Sequence, residues 1–121
     1  MDDFETQVKK LEEASKLNDK CRQLWCEIVA KAGMYKTTIL QMDTVADMQD
    51  YITLMKRKNA LIKSISTKIL ILSSEYKQVK NVPLVNRQIK RNKNGEITEL
   101  VHEYEEYIDC IYKKKKEKMY V

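Results

Sequence analysis

The chain has 121 residues, of which 34% are charged and 7% aromatic, and its formal net charge at pH 7 is +5. This length allows one domain with a modest core. Only two glycines and one proline occur, which argues against the many tight turns of sandwiches, barrels and α/β folds and favours long helices.

No targeting or membrane-spanning segment is recognisable. Residues 1–5 are acidic and lack the basic and apolar regions of a secretory signal. The longest strongly apolar run, residues 69–72, is far shorter than the roughly 20 residues that cross a bilayer. Cys21, Cys26 and Cys110 are an odd number without disulfide or metal spacing. We therefore expect an intracellular protein, in the cytoplasm or nucleus, with its cysteines in or beside the core.

Residues 4–42 form the first predicted helix. Apolar or small side chains recur there in steps of three or four, close to a heptad seam, and Ser15 and Asn18 weaken the seam locally. The pattern is most regular from Cys21 onward. It predicts one long helix with a buried stripe.

Residues 45–80 carry a second and cleaner seam. Its polar member, Asn59, is interpreted either as a buried amide that sets helix register or as a residue at a partner's edge. Further apolar residues widen the stripe, so that three or more packed helices are expected. The seam positions are Met48, Ile52, Met55, Asn59, Ile62, Ile65, Ile69, Leu72, Tyr76 and Val79, and the widening residues are Leu54, Leu61, Leu70 and Ile71.

The predicted break between these helices lies at residues 42–47. Thr44 is a good capping residue, and Asp47 suits the first turn of a following helix. A break here leaves two helices of similar length, as in an antiparallel hairpin. One unbroken helix is the alternative, since no Gly or Pro marks the turn.

Pro83 is expected to end the second helix, because its ring clashes with a continuing helical backbone. A basic loop over 81–95 and a shorter amphipathic helix over 96–121 then complete the chain. A minor β-hairpin over 84–101, turning at Asn94-Gly95, is the alternative. The predicted fold is thus all-α, with a coiled-coil-like antiparallel hairpin over 1–80 followed by the loop and the C-terminal helix.

No motif for catalysis, a cofactor or a metal is found. The chain has no glycine-rich phosphate loop or Cys-x-x-Cys pair, and His102 is its single histidine. The acidic residues Glu103, Glu105, Glu106 and Asp109 spread around a helix and lack the loop of a calcium site. We therefore expect a protein that is not an enzyme and binds neither cofactor nor metal.

The width of the two seams supports the main functional hypothesis. So short a chain is expected to have too few segments to cover them, leaving apolar surface for partner helices. The predicted function is a structural or adaptor subunit of a multiprotein assembly, of the kinetochore, spindle, tethering or transcription kind, and a hetero-oligomer is favoured over a homo-oligomer. The predicted interface residues are Trp25, Ile28, Tyr35, Ile39, Met48, Ile52, Met55, Ile62, Ile65, Ile69, Leu72, Tyr76 and Val79.

An excess of basic residues in the second half supports an alternative hypothesis. A polyanion-binding module would use this charge on nucleic acid, an acidic microtubule surface or anionic lipid. The lysine run near the C-terminus also has a simpler interpretation, since lysines complement the negative end of a helix dipole. The predicted contact residues are Lys77, Lys80, Arg87, Lys90, Arg91, Lys93, Lys113, Lys114, Lys115 and Lys116.

Overall fold

The computed structural model describes residues 4–81 and 101–119, with the side chains of 104–114 in the last helix. These residues form four helices, α1 (Phe4–Ala14), α2 (Asp19–Thr44), α3 (Met48–Lys80) and α4 (Val101–Met119). The described ranges contain no strand, and the predicted all-α fold is confirmed. The alternative β-hairpin falls outside the described ranges, apart from Val101, which begins α4.

Helices α2 and α3 form an antiparallel hairpin. Lys20 Nζ lies 3.4 Å from Glu75 Oε1, and Lys68 Nζ lies 2.9 Å from Glu27 Oε2. Residues early in α2 therefore face residues late in α3, so the predicted hairpin is confirmed and a single continuous helix is excluded. These ion pairs are partly exposed to solvent and contribute little to stability, which comes mainly from apolar packing.

The prediction of one helix over 4–42 is wrong, because the chain turns between α1 and α2. Helix α1 ends at Ala14, and α2 begins after Asn18, whose Oδ1 accepts a hydrogen bond from the backbone N–H of Cys21 at 2.9 Å. Asn18 is thus an N-cap, a position that favours a short polar side chain. The same polar residues that weaken the seam, Ser15 and Asn18, lie in the turn.

A short turn joins α2 to α3 at the predicted place, but with a different capping residue. Asp47 is the N-cap of α3, because its Oδ1 accepts hydrogen bonds from the N–H groups of Gln49 and Asp50 at 2.7 and 3.2 Å. Thr44 is instead the last residue of α2, and its hydroxyl donates to a carbonyl of its own helix. Both residue types are good caps, so sequence alone did not separate them.

Helix α3 ends at Lys80, as predicted. The next residue, Asn81, has a left-handed backbone conformation with φ of 56°, and its N–H donates to the Lys77 carbonyl at 2.8 Å. Asparagine is one of the few residues other than glycine that suit this conformation at a helix end. Pro83 itself lies outside the described residues.

Helices α1 and α4, far apart in sequence, pack against each other. The rings of Phe4 and Tyr107 meet edge to face with centroids 5.0 Å apart, and the Tyr107 hydroxyl is hydrogen-bonded to Gln7 Oε1. Farther along, Lys114 Nζ lies 3.0 Å from Glu12 Oε2. Both helices also contact α2 and α3, so they form a second layer on the hairpin.

One apolar core joins all four helices. The chain itself therefore supplies the third and fourth helices that the wide stripes require. Its members include Val8, Leu11 and Ala14 from α1; Ile28, Ala32 and Tyr35 from α2; Leu61, Ile62, Ile65, Ile69 and Leu72 from α3; and Tyr104, Tyr107, Ile108 and Ile111 from α4.

No residue of α3 from Met48 to Ala60 is buried, and Ile52 of the predicted seam is half-buried there whereas Tyr51 is exposed. Extending the three-and-four spacing of the buried residues toward the N-terminus reaches Lys58 and Tyr51 rather than Asn59 and Ile52. Asn59 is exposed, so its predicted role as a buried amide that sets register is wrong. The stripe positions are Met48, Tyr51, Met55, Lys58, Ile62, Ile65, Ile69, Leu72 and Tyr76.

Candidate functional site

The hairpin tip, which we define as residues 39–60, contains no buried residue, although the structure describes every one of them. Buried positions end at Thr38 in α2 and resume at Leu61 in α3. The two arms therefore extend beyond their last buried positions by roughly 10 Å in α2 and 20 Å in α3, at about 1.5 Å per residue. The tip projects past the layer formed by α1 and α4.

Large apolar side chains are exposed on this tip. Met48 is 70% exposed and Leu40 66%, while Tyr51 and Met55 are less exposed. Met48, Tyr51 and Met55 continue the spacing of the stripe that is buried farther along α3. The stripe continues past the helices that would shield it from water.

Helix α2 contributes the other side of the same surface. Ile39 and Met42 follow the buried Tyr35 by four and seven residues, so all three lie on one face of α2. Both are half-buried, and Ile39 packs against the edge of the core. We call the two-helix surface formed by Ile39, Met42, Met48, Tyr51 and Met55 the ledge.

A groove opens between α2 and α4 at the base of the tip. Its volume is about 540 Å³. Lys36 and Asp109 form an ion pair within its lining, and Ile39 belongs to both groove and ledge, so the two surfaces are continuous. The groove is lined by Lys36, Ile39, Leu40, Glu106, Asp109, Cys110, Tyr112 and Lys113.

A polar cluster holds α4 at the base of the tip. The Tyr35 hydroxyl donates to Glu105 Oε1 at 2.8 Å, and Lys58 Nζ lies 4.0 Å from the same oxygen. Burial, followed by the hydrogen bond to the Glu105 carboxylate, raises the pKa of Tyr35 well above its ordinary value of 10.0. Tyr35 therefore stays a neutral donor. The cluster thus joins α2, α3 and α4 at the base of the tip.

Charge is unevenly distributed along the tip. Acidic residues surround the turn, whereas basic residues lie at its base, one to three turns of helix farther along α3. Most of these side chains are exposed, and Lys58 is partly buried beside Glu105. The acidic set is Asp43, Asp47 and Asp50, and the basic set is Lys56, Arg57 and Lys58.

The structure divides the predicted partner-interface residues into groups. Some of these residues are buried by the helices of this chain, and for them the expectation that the chain has too few segments to cover its seams is wrong. The interface role of the others stays a prediction. Ile28, Tyr35, Ile62, Ile65, Ile69, Leu72 and Tyr76 are buried, Trp25, Ile39 and Ile52 are half-buried, and Met48, Met55 and Val79 are exposed.

Sequence reasoning missed Leu40, Tyr51 and Met34 as exposed apolar residues. Tyr51 lies three residues after Met48 and four before Met55, so a strict heptad register would have identified it. Leu40 and Met34 lie off the buried stripe of α2, and their exposure follows only from the positions of α3 and α4.

The predicted polyanion-contact residues are only partly described. Lys77 and Lys80 are exposed at the end of α3 far from the tip, about 33 Å along the helix from Met55 to Lys77. Lys113 is exposed beside the groove, while Lys114 is half-buried and paired with Glu12. Residues outside the described set are Arg87, Lys90, Arg91 and Lys93, together with the side chains of Lys115 and Lys116.

No metal-binding arrangement is seen among the described side chains, where no three His, Cys, Asp or Glu residues converge. Cys21 is buried, Cys26 is exposed and Cys110 is half-buried, and all three are free thiols. In the two described ranges, none of the helices combines the length and the apolar character needed to cross a bilayer.

Comparison with known proteins found no matching family model, curated protein or solved structure.

Proposed function

We propose that this protein is a non-enzymatic structural or adaptor subunit that binds partner helices through the ledge of its hairpin tip. One observation carries the proposal. The apolar stripe of α3 is buried in its second half but continues uncovered through Met55, Tyr51 and Met48. Apolar side chains in heptad spacing on a helical face are the surface that coiled-coil and bundle partners cover.

The bundle itself illustrates this mode of binding. Below the tip, α1 and α4 place apolar side chains such as Leu11 and Ile108 against the same hairpin stripes. The ledge offers the same two-helix platform without its covering layer. A helix from another chain with apolar residues at i, i+3 or i+4, and i+7 would continue that layer over the tip.

The energetics of the tip favour association. Complete burial of a Met, Leu or Phe side chain contributes about 1.5–3 kcal/mol relative to the exposed state. Met48 and Leu40 retain most of their exposed area, so covering them yields much of this free energy. Methionine is flexible and polarizable, which suits binding surfaces that repack around a partner. The tip contains three methionines, Met42, Met48 and Met55.

The proposed class of function is that of small helical subunits in kinetochore, spindle, tethering or transcription assemblies. Such subunits act by holding other chains in position. The exposed lysines at the end of α3, Lys77 and Lys80, lie far from the ledge, so the proposed partner contact does not require polyanion binding.

The test compares a tip variant with a matched control in the full chain. The tip variant carries Met48→Gln, Tyr51→Gln and Met55→Gln, and the control carries Met34→Gln and Ile71→Gln, which replace exposed apolar residues outside the tip. Each tagged chain is expressed in cells of its source, and copurifying proteins are quantified by mass spectrometry with isotope labelling.

We expect the tip variant to lose its stoichiometric partners while the control retains them. Circular dichroism melts check that both variants fold. Equal recovery of the same partners with both variants would refute the proposal.

A further inference from the structure

We infer that the ledge receives a basic amphipathic helix of another protein, whose lysine or arginine side chains lie beside its apolar stripe and contact Asp43 and Asp47. This inference rests on the proposed function, since it names the chemistry of the partner that covers the same tip. Two exposed carboxylates at the turn end of the ledge carry it.

Asp43 and Asp47 border the ledge where the hairpin turns. Asp43 follows Ile39 by four residues and Asp47 precedes Tyr51 by four, so each lies on the ledge side of its helix. Within the ranges that the structure describes, neither carboxylate is in an ion pair, and the acceptor bonds of Asp47 come from backbone N–H groups. A partner that covers the ledge therefore meets two negative charges without counter-charges.

Asp43 has no stabilising role at the end of its own helix. It lies in the last turn of α2, a turn without a basic residue. The C-terminus of a helix carries a partial negative charge, so a carboxylate is unfavourable there and a cation is favourable. Asp47 differs, because it is the N-cap of α3. The end of α2 and Asp43 thus attract a positively charged side chain from outside the bundle.

The basic residues at the base of the tip do not offset these carboxylates, because each has an acidic neighbour there. Two of them are in ion pairs with α4, and the third shares the groove lining with an exposed glutamate. These neighbours are Lys36 with Asp109, Lys58 with Glu105, and Lys113 with Glu106.

The other charges of the tip lie off the ledge. Asp50, Lys56 and Arg57 are one, five and six residues from Tyr51, which places them about 100° or more around α3 from it at 3.6 residues per turn. A helix lying over the stripe does not cover them. The uncompensated charge on the covered face is therefore that of Asp43 and Asp47.

A basic amphipathic helix matches both features of this surface. Its apolar stripe would cover Met48, Tyr51 and Met55, as helices in a groove do, and the methionines adapt to its side chains. Its basic flank would face the two carboxylates, which fixes its orientation on the ledge. A second copy of this chain would instead present a ledge of the same sign, so like charges oppose self-association through this surface.

Two synthetic peptides test the partner chemistry on the full chain. Each has about 18 residues, enough to form a helix, with leucines at i, i+3 and i+7 spacing. One carries lysines on the flanks of this stripe and the other glutamates. Fluorescence anisotropy of labelled peptides at about 0.15 M salt should show at least about tenfold tighter binding of the lysine peptide, and the difference should shrink as salt is raised.

Two matched charge variants locate the contact. Asp43→Asn with Asp47→Asn removes both carboxylates, and asparagine is as good an N-cap as aspartate. This variant should bind the lysine peptide at least about threefold more weakly and lose most of the preference over the glutamate peptide. Glu13→Gln with Asp19→Asn changes the net charge equally at exposed sites, Asp19 being about 36 Å along α2 from Asp43, and should bind as the wild type does.

Equal binding of the two peptides, or no binding of either, overturns the inference. So does a lysine peptide that binds the triple tip variant as tightly as the wild type, because its site is then elsewhere. A wild-type chain that dimerises through the tip, and is monomeric as the triple tip variant, assigns the ledge to a second copy and also overturns it. In each case the proposed function stands if the triple tip variant still loses its copurifying partners, and fails if that variant keeps them.

Discussion

The hydroxyl of Tyr35 donates a hydrogen bond to Glu105 Oε1 across 2.8 Å and so joins α2 to α4 at the base of the hairpin tip. Tyr35 is almost completely buried, whereas Glu105 is partly exposed and lies near Lys58. Because the bond links residues far apart in sequence, it reports directly on whether α4 is docked.

Replacing Tyr35 with Phe should destabilise the fold by about 1.5–3 kcal/mol, the range for a hydrogen bond to a charged group. The Phe ring still fills the site of the Tyr35 ring. The loss of stability therefore measures the missing hydrogen bond and the Glu105 carboxylate left without its donor. Urea unfolding followed by circular dichroism gives the free energy, and hydrogen exchange should show weaker protection in α4. Glu105→Gln keeps an acceptor and should cost less. An unchanged unfolding midpoint in Tyr35→Phe would contradict the bond.

Stability should also fall at high pH because of the same residue. Burial and the Glu105 carboxylate raise the pKa of Tyr35 in the folded chain, so the folded state holds this proton more tightly than the unfolded state. The resulting stabilisation is complete below the ordinary pKa of 10.0 and is lost as the pH rises above it. Unfolding free energies measured between about pH 8 and pH 11 should decline more steeply for the wild-type chain than for Tyr35→Phe. If the unfolding free energies of the two chains fall with pH at the same rate, Tyr35 is not the group responsible for the loss of stability.

The two halves of the α3 stripe should respond differently to truncation. Ile69→Ala creates a cavity in the core and should cost about 2–5 kcal/mol. Met48→Ala occupies an equivalent stripe position on the exposed tip and should change stability by less than about 0.5 kcal/mol. Urea titrations at low chain concentration, where self-association is minimal, measure both values. A large loss in Met48→Ala under those conditions would mean that the chain itself covers the ledge.

Capping variants test the position of the turn. Asp47→Ala removes the acceptor of two backbone N–H groups at the start of α3 and should cost about 0.5–2 kcal/mol. Thr44→Ala, three residues earlier and outside the cap, should remain within about 0.5 kcal/mol of the wild type. Thermal melts of the two variants give the comparison. A larger loss of stability in Thr44→Ala than in Asp47→Ala would instead place the start of α3 at residue 45, as the sequence predicted.

The three cysteines should react with a thiol reagent in a fixed order. Cys26 is exposed and should be modified first in the native chain. Burial raises the pKa of Cys21 and of Cys110, so fewer thiolates form there. Mass spectrometry during labelling with a maleimide identifies each site. Rapid modification of Cys21 in the folded chain would contradict the position of its α2 face against α3.

The helical elements were largely predictable, because they depend on local patterns. Apolar spacing identified α3, Pro83 predicted its end near Lys80, and the break before Met48 followed from nearby capping residues. The turn between α1 and α2 was missed although Asn18 was visible as an interruption, since a polar residue within a seam marks either a weak position or a cap. Only the backbone conformation distinguishes these two cases.

The candidate site was predicted only in part. Met48 and Met55 were among the expected interface residues, together with Ile65 and Ile69, which the chain buries. Heptad spacing assigns all four to one stripe and contains no information on which of them a neighbouring helix will cover. The groove was not predicted at all, because its residues come from α2 and α4, helices that are distant in sequence.

The amino-acid sequence by itself determined that the chain forms long amphipathic helices, where most of them end, and that apolar stripes run along them, because helix propensity, capping and side-chain spacing act over a few residues. Only the tertiary structure decided that α1 and α4 cover the lower half of the hairpin and leave the ledge open. Burial is a property of contacts between segments far apart in the chain. Met55 and Ile62 are equivalent positions of one repeat, and what separates them is whether other helices of the chain cover them.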